Sequence, residues 1–362
     1  MTAELERSAI TRRTIAHLVA LCRPVGDVAD GLIAPATYCH PTDSGNLVLI
    51  PAEQTGYEGV ACVDDAARLL VLLLTADPAQ LRVIGPVRRR QSIVDALLAF
   101  VLKMQIDGDR FVNFILDWTG SVNADGPTSE AGGTWWTARA LRALAWASKL
   151  VPSPAAKRSF LAALPGLTFR DRWDEESVLM WAGLDFDALH DVRCRLGATP
   201  WVERLVAGTG DLPFRDGPLE RGVPHLWGRA QELVVARVAQ RSRNPLWLSL
   251  ARESCHEFLR PVAVSGFRDR TVTLPYEVSS VVRNLRTVAA ITGDRELRAA
   301  AVQAAAWFWG ANRGDAPMID TVSGRASDGL DDRRPSQNSG AEANIEALFT
   351  ISSPAPADLI YT

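Results

Sequence analysis

Residues 66–76, AARLLVLLLTA, are apolar nearly all the way round. A helix without a polar stripe must be enclosed on several sides, so the chain has to supply a shell around it. A second kind of segment provides one. Ile93, Leu97, Phe100, Val101 and Met104 recur at spacings of three and four, which predicts an amphipathic helix with one buried stripe. The two kinds alternate along the chain. Amphipathic segments lie near residues 8–22, 89–104, 155–164, 197–207, 245–260 and 294–309, and more enclosed ones begin near 63, 134, 176, 228, 276 and 341. That makes six pairs at intervals of roughly 45 to 70 residues, the range of helical-hairpin architectures with insertions.

Six amphipathic helices outside and six enclosed helices inside predict an all-α, (α/α)6 toroid. Each inner helix would then start on the same face, and the long loops at 24–62, 105–133, 209–227, 261–275 and 310–340 would gather there as a funnel. The punctuation agrees. Ser153-Pro154 and Asn244-Pro245 read as cap-plus-Pro helix starts, and Thr292-Gly293-Asp294 as a turn between two helices. Asp64 and Asp65 stand at the head of the most apolar helix, where a carboxylate can cap free N–H groups. Only residues 46–51 and 270–274 carry strand signals. With no Pro/Gly/Ser-rich linker near the middle, the expectation is one barrel domain over 1–351 and a loosely held tail over 352–362.

A formal net charge of −3 gives no basic field for nucleic acid or an anionic membrane. No apolar run is long enough to span a bilayer, and the N-terminus lacks the apolar core and cleavage site of a signal peptide. The five Cys are odd in number, widely spaced and without a CxxC pair, which fits reduced thiols in the cytoplasm rather than a disulfide framework or a zinc site. No HExxH, P-loop or dinucleotide-binding fingerprint is present, so neither a metal nor a cofactor is expected.

Polar and aromatic residues concentrate where loops meet enclosed helices. The carboxylates there are Asp64, Asp65, Asp117, Glu130, Glu277 and Glu342. Tyr57, Trp118, Trp135, Trp136, Trp227 and Tyr276 offer aromatic faces, while Arg68, Arg139 and His225 offer charge and hydrogen bonds. Eleven Trp against four Tyr suits either core filling or ligand platforms. Several of these positions lie in stretches that resemble a known group. YEGVACVDDAAR at 57–68 resembles the GYCVDDNARAL type of motif in six-hairpin glycosidase-like domains, some of which accompany glycosyltransferases. FVNFILDWTG followed by GGTWWTARALRALA is similar to the segment that comes next in such proteins, and NSGAEANIEALFTI is similar to their NSGAESTIEALLAL ending. Ala66 stands where the pattern often has Asn, so one polar contact of the group is missing here.

The resemblance implies an oligosaccharide or glycoside as partner. Glycoside cleavage uses one carboxyl group with a raised pKa to protonate the leaving oxygen and another to activate water or attack the sugar. An inverting pair stands about 6.5–9.5 Å apart, which carboxylates on different inner helices can satisfy. Other readings stay open at this level. A sugar epimerase would use histidines such as His40 and His225, and a lyase would use Tyr57, Tyr276 or His225. A terpene cyclase-like barrel would use the Trp faces, although DxDD and DDxxD are both absent. A non-catalytic sugar-binding domain would have its carboxylates absorbed by Arg68, Arg139 and Arg229.

Overall fold

The structure is a computed structural model, and it describes residues 2–42, 46–220 and 222–352. In chain order the helices are α1 (Thr2–Leu21), α2 (Val63–Thr75), α3 (Val87–Lys103), α4 (Thr134–Leu150), α5 (Pro154–Ala163), α6 (Trp173–His190), α7 (Ala198–Thr209), α8 (Gln231–Ser242), α9 (Pro245–Ser254), α10 (Arg260–Ser265), α11 (Pro275–Thr292), α12 (Arg295–Ala305) and α13 (Ala341–Ile351). A π-helical turn, Cys255–Leu259, joins α9 to α10. Its cause is local: Pro261 has no N–H to return to the carbonyl four residues back. Among the described residues no helix is long and apolar enough to cross a membrane. The expected loose tail lies, after Ser352, outside the described residues.

Contacts divide the chain into two compact units. The first holds residues 2–167, 319–328 and 336–352, and the second holds 168–318 and 329–335. In the first unit α2 packs on α4 and on α13, while α1, α3 and α5 pack against these three. In α2 every residue except Asp64 and Leu74 is buried. Each of its enclosed Leu and Val side chains contributes roughly 2 kcal/mol of burial. In α3 only Val94, Leu97, Leu98, Phe100 and Val101 are buried, the expected single stripe. The second unit repeats the scheme. There α8 packs on α6 and on α11, with α7, α9 and α12 beside them. Nine consecutive residues of α8 are buried, whereas α12 buries only Leu297, Ala300, Ala301 and Ala304. Enclosed and amphipathic helices therefore alternate in both units, as the hydrophobic periodicity predicts.

The caps are mostly those expected. Asn244 accepts from the Trp247 N–H, and Asp294 from the N–H groups of Glu296 and Leu297. Ser153 precedes α5 without a side-chain cap bond, leaving the start to Pro154. At α2 the expectation is corrected: Cys62, not Asp64 or Asp65, is the N-cap, and its Sγ accepts from the Asp65 N–H. Short strands fill the loops. Leu47–Ile50 pairs with Tyr38–Pro41, and Ala61–Cys62 pairs with Phe114–Ile115 just ahead of α2. In the second unit Val272–Thr273 pairs with Leu330–Asp331. Two glycines let backbone approach backbone in the first unit. A Cβ on Gly59 (φ +148) would stand 2.2 Å from the Ile115 carbonyl oxygen, and one on Gly340 would stand 2.1 Å from that of Thr37.

Candidate active site

In the first unit the carboxylates converge on one guanidinium. Arg68, one turn into α2, is 6% exposed, too buried for water to balance its charge. Its Nη2 lies 2.8 Å from Asp65 Oδ1 and its Nε 3.3 Å from Asp64 Oδ1. Its Nη1 reaches Glu342 Oε1 at 2.7 Å and Glu346 Oε1 at 3.0 Å. The spacing explains the convergence. Residues three and four apart lie on one helix face, so Asp64 and Asp65 fold back on Arg68 while Glu342 and Glu346 approach together from α13. Arg139 of α4 binds the other oxygen of Asp64, and its guanidinium lies 5.7 Å from the Trp135 ring centroid. Asn113 Oδ1 accepts from the Asp64 N–H, tying the residue just ahead of the Phe114–Ile115 strand to the head of α2.

A fifth carboxyl group stands in the same field. Asp328 Oδ1 accepts from the Gly340 N–H directly ahead of α13, while its Oδ2 is closed to solvent and has no hydrogen-bond partner. Burial, opposed by the Gly340 N–H and reinforced by Glu342 and Asp65, pushes the Asp328 carboxyl up to about 7. Asp65 is also pushed up to about 7. Burial again dominates, Arg68 opposes it, and Glu342 and Asp64 add to it. Four carboxyl groups thus share two guanidiniums with Asp328 in their field, and burial raises Asp65 and Asp328 to about 7. Glu342 is the open member, with a side chain 34% exposed against 1% for Glu346. Tyr38 faces this field too. Its hydroxyl accepts from Gln54 Nε2 at 2.6 Å, leaving its own proton free to donate, and burial and the acids push its pKa up. Among the described residues no group of three or more His, Cys, Asp or Glu is arranged to hold a metal ion.

The other expected residues of this unit stand apart from the cluster. Asp117 is an exposed turn residue whose carboxylate accepts from Thr119, and these bonds hold its pKa down. Glu130 is exposed in the turn leading to Gly133. Trp118 is half-buried, and its carbonyl accepts from the Gly26 N–H. Trp136 is buried and donates its indole N–H to the Phe111 carbonyl. Tyr57 is exposed and donates its hydroxyl proton to the Leu116 carbonyl at 2.7 Å. His40 hydrogen-bonds Asn338 Oδ1 at 3.0 Å.

The second unit gathers a different set. His225 Nε2 lies 2.9 Å from Asp174 Oδ2, and the His225 N–H donates to Asp216 Oδ2. Burial lowers the His225 pKa, but the bond to Asp174 and the charge of Asp216 outweigh it, so the net shift is upward. Arg229 is 2% exposed and grips Glu232 through Nη2 at 2.6 Å, a buried ion pair of the kind expected for it. Glu277 is engaged on both oxygens: it accepts from the Leu274 N–H at Oε2 and from Arg270 Nη2 at Oε1, the latter at 2.8 Å. It thus closes the capping box of α11 from the third helical position, with Leu274 as the N-cap residue. Trp227 is half-exposed, and its ring meets Tyr276 edge-on at 6.4 Å.

Sequence reasoning missed Asp328, Tyr38, Asp174 and Asp216 as site residues. Asp328 carried a usable signal, an Asp-Gly pair within the last long loop, beside the NSGAE stretch whose Gly340 holds it. Asp174 carried none, because an acid in the first turn of a helix is ordinary.

No protein-family profile and no curated protein matches the chain by sequence. Solved structures do match its fold. A sugar epimerase from a ruminal bacterium superposes with a TM-score of 0.64 at 11% identity, over 96% of this chain and 98% of the other. A metagenome-derived glycoside hydrolase family 9 endoglucanase gives 0.56 at 13% identity, over 97% and 81%. A cellulase of C. cellulolyticum in complex with cellobiose gives 0.52 at 11% identity, over 98% and 99%. The class is therefore the all-α (α/α)6 barrel of six helical hairpins, the glycosidase-like fold that the sequence predicts.

Proposed function

We propose that the protein is a carbohydrate-active enzyme of glycosidase type, acting on an oligosaccharide or glycoside with an inverting acid/base mechanism. The observation that carries this reading is the imbalance around Arg68: four carboxyl groups against two guanidiniums, with a fifth, Asp328, in the field of Glu342 and Asp65 and its Oδ2 left without a partner. Such a cluster retains a proton near neutral pH, as a general acid requires. Asp328 is the acid in this reading. Glu342, the open carboxylate, is the group that activates water. Asp64, Asp65 and Glu346 hold Arg68 and Arg139 in place, and Tyr38 donates to a sugar oxygen. Because Oδ2 is closed to solvent, the 326–339 loop has to open around a bound sugar. The polar, ion-paired lining suits a sugar better than an isoprenoid cation. The fold likeness, which spans nearly the whole chain, supports reading 1–351 as one barrel domain. Five free thiols suit a reducing compartment, in keeping with a cytoplasmic site of action.

A screen against glycans and chromogenic glycosides, with product anomers read by NMR, tests the reaction class. Turnover with inversion is expected, and Glu342→Gln should lower it about a hundredfold or more. Wild-type turnover that Glu342→Gln leaves intact would remove Glu342 from the chemistry. One observation favours a second reading, a domain that binds sugar without cleaving it: Asp64, Asp65 and Glu346 are absorbed by Arg68 and Arg139. Binding on the same panel without turnover would select it.

A further inference from the structure

Trp227 stands out in the second unit. All eleven Trp are described, and it alone is mostly exposed, at 52%. Leaving half an indole in water forfeits apolar burial, and immobilising an exposed side chain costs rotamer freedom. Yet this side chain is fixed from several directions. Its indole edge stands beside the buried Glu277 carboxylate and opposes the rise of that group's pKa. Its backbone N–H donates to His225 Nδ1 at 3.2 Å, and the two rings lie 5.5 Å apart, tilted by 42°. Tyr276 meets it edge-on, with an interplanar angle of 76°. The supports are themselves held: His225 by Asp174 at 2.9 Å, and Glu277 by Arg270 at 2.8 Å. Held by His225 and Tyr276, Trp227 offers a ligand a flat, apolar and pre-positioned face.

We propose that the open face of Trp227 is a platform on which a pyranose ring of an oligosaccharide stacks, and that His225 is the positioning residue that keeps it ready. A pyranose presents a face of ring C–H bonds with its hydroxyls at the rim, the shape complement of an open indole face. Rigidity lowers the ordering cost of binding. This proposal rests on the carbohydrate reading above. His225 acts through tautomer. Its Nδ1 accepts from the Trp227 N–H, so its ring proton sits on Nε2, toward Asp174. A second proton would turn Nδ1 into a donor and break the contact to Trp227. The charged groups facing the ring are Asp174, Asp216 and Arg229.

The test is titration of the whole protein with cellotetraose, xylotetraose and chitotriose, followed by tryptophan fluorescence and calorimetry. At least one should bind and perturb the fluorescence. Trp227→Ala should weaken that binding about tenfold or more, while Trp227→Phe, which keeps a flat face, should stay within about threefold. His225→Gln should reduce the pH dependence of the affinity, a readout that loss of packing alone would not move. Equal binding by wild type and a folded Trp227→Ala variant overturns the platform, as does absence of binding to all three sugars. Turnover that is lost in Glu342→Gln while Trp227→Ala binds normally overturns the platform alone. Binding that is lost in Trp227→Ala, in a protein that turns over no substrate, overturns the catalytic reading alone.

Discussion

Arg68 shows how much a single buried charge organises. It is enclosed, bound by Asp64, Asp65, Glu342 and Glu346, and held firmly charged by them. Removing it would leave four carboxylates facing one another with only Arg139 nearby. Arg68→Ala should therefore cost on the order of 3–5 kcal/mol at pH 8 and clearly less at pH 5, where the acids can take up protons, as chemical denaturation at the two pH values would show. Asp65 and Asp328 give the sign of the pH dependence in the wild type. Both are raised above the ordinary carboxylate range, so their contribution to stability is fully present at acid pH and fades as pH rises through about 7. Asp328→Asn should flatten that decline between pH 5 and pH 8 in a series of urea midpoints. A decline as steep as in the wild type would mean that Asp328 does not hold its proton in the folded state.

The elements explain why these side chains meet. Cys62 caps α2 with its sulfur, so the Asp64 and Asp65 carboxylates are released from capping and are free to turn toward Arg68 and Arg139. A cap by Cys is not what composition suggests, because Asp is the stronger N-cap former and stands within reach. The deciding factor is tertiary: the pairing of Ala61–Cys62 with Phe114–Ile115 fixes where the helix begins. At α13 the Gly340 backbone touches Thr37 and donates to Asp328. Gly340→Ala should cost on the order of 3 kcal/mol, read from a shifted urea midpoint, because the added Cβ has backbone rather than a flexible side chain in its way. It should also lower any activity that depends on Asp328.

For the whole molecule, the legible part of the sequence was periodicity. The fully apolar run at 66–76 and the stripe at 93–104 differ in kind, and helix type alternates in both units as that difference predicts. The junctions before the inner helices were legible too, because Arg68, Asp65 and Glu342 all start there. Partnership was not legible. Sequence cannot say that Glu277 is spent on a helix cap and on Arg270, or that Asp117 belongs to an exposed turn. Asp328 carried an Asp-Gly signal, but its environment, made by Gly340, Glu342 and Asp65, did not show in the sequence. Those properties arise when distant segments are packed together. The central claim is that a proton-bearing carboxyl in the field of Glu342 and Asp65 serves as general acid, and leaving-group dependence tests it most directly. The measurement is kcat/KM for wild type and Asp328→Asn on a cleaved sugar bearing either an alkyl or an activated aryl leaving group, across pH 5–9. The claim predicts that the wild type loses rate on the alkyl glycoside as pH rises through about 7, and that Asp328→Asn is nearly inactive on it. On the aryl glycoside, which leaves without a proton, the variant should stay within about tenfold of wild type. Equal rates for wild type and Asp328→Asn on the alkyl glycoside, with the alkaline limb unchanged, would contradict it.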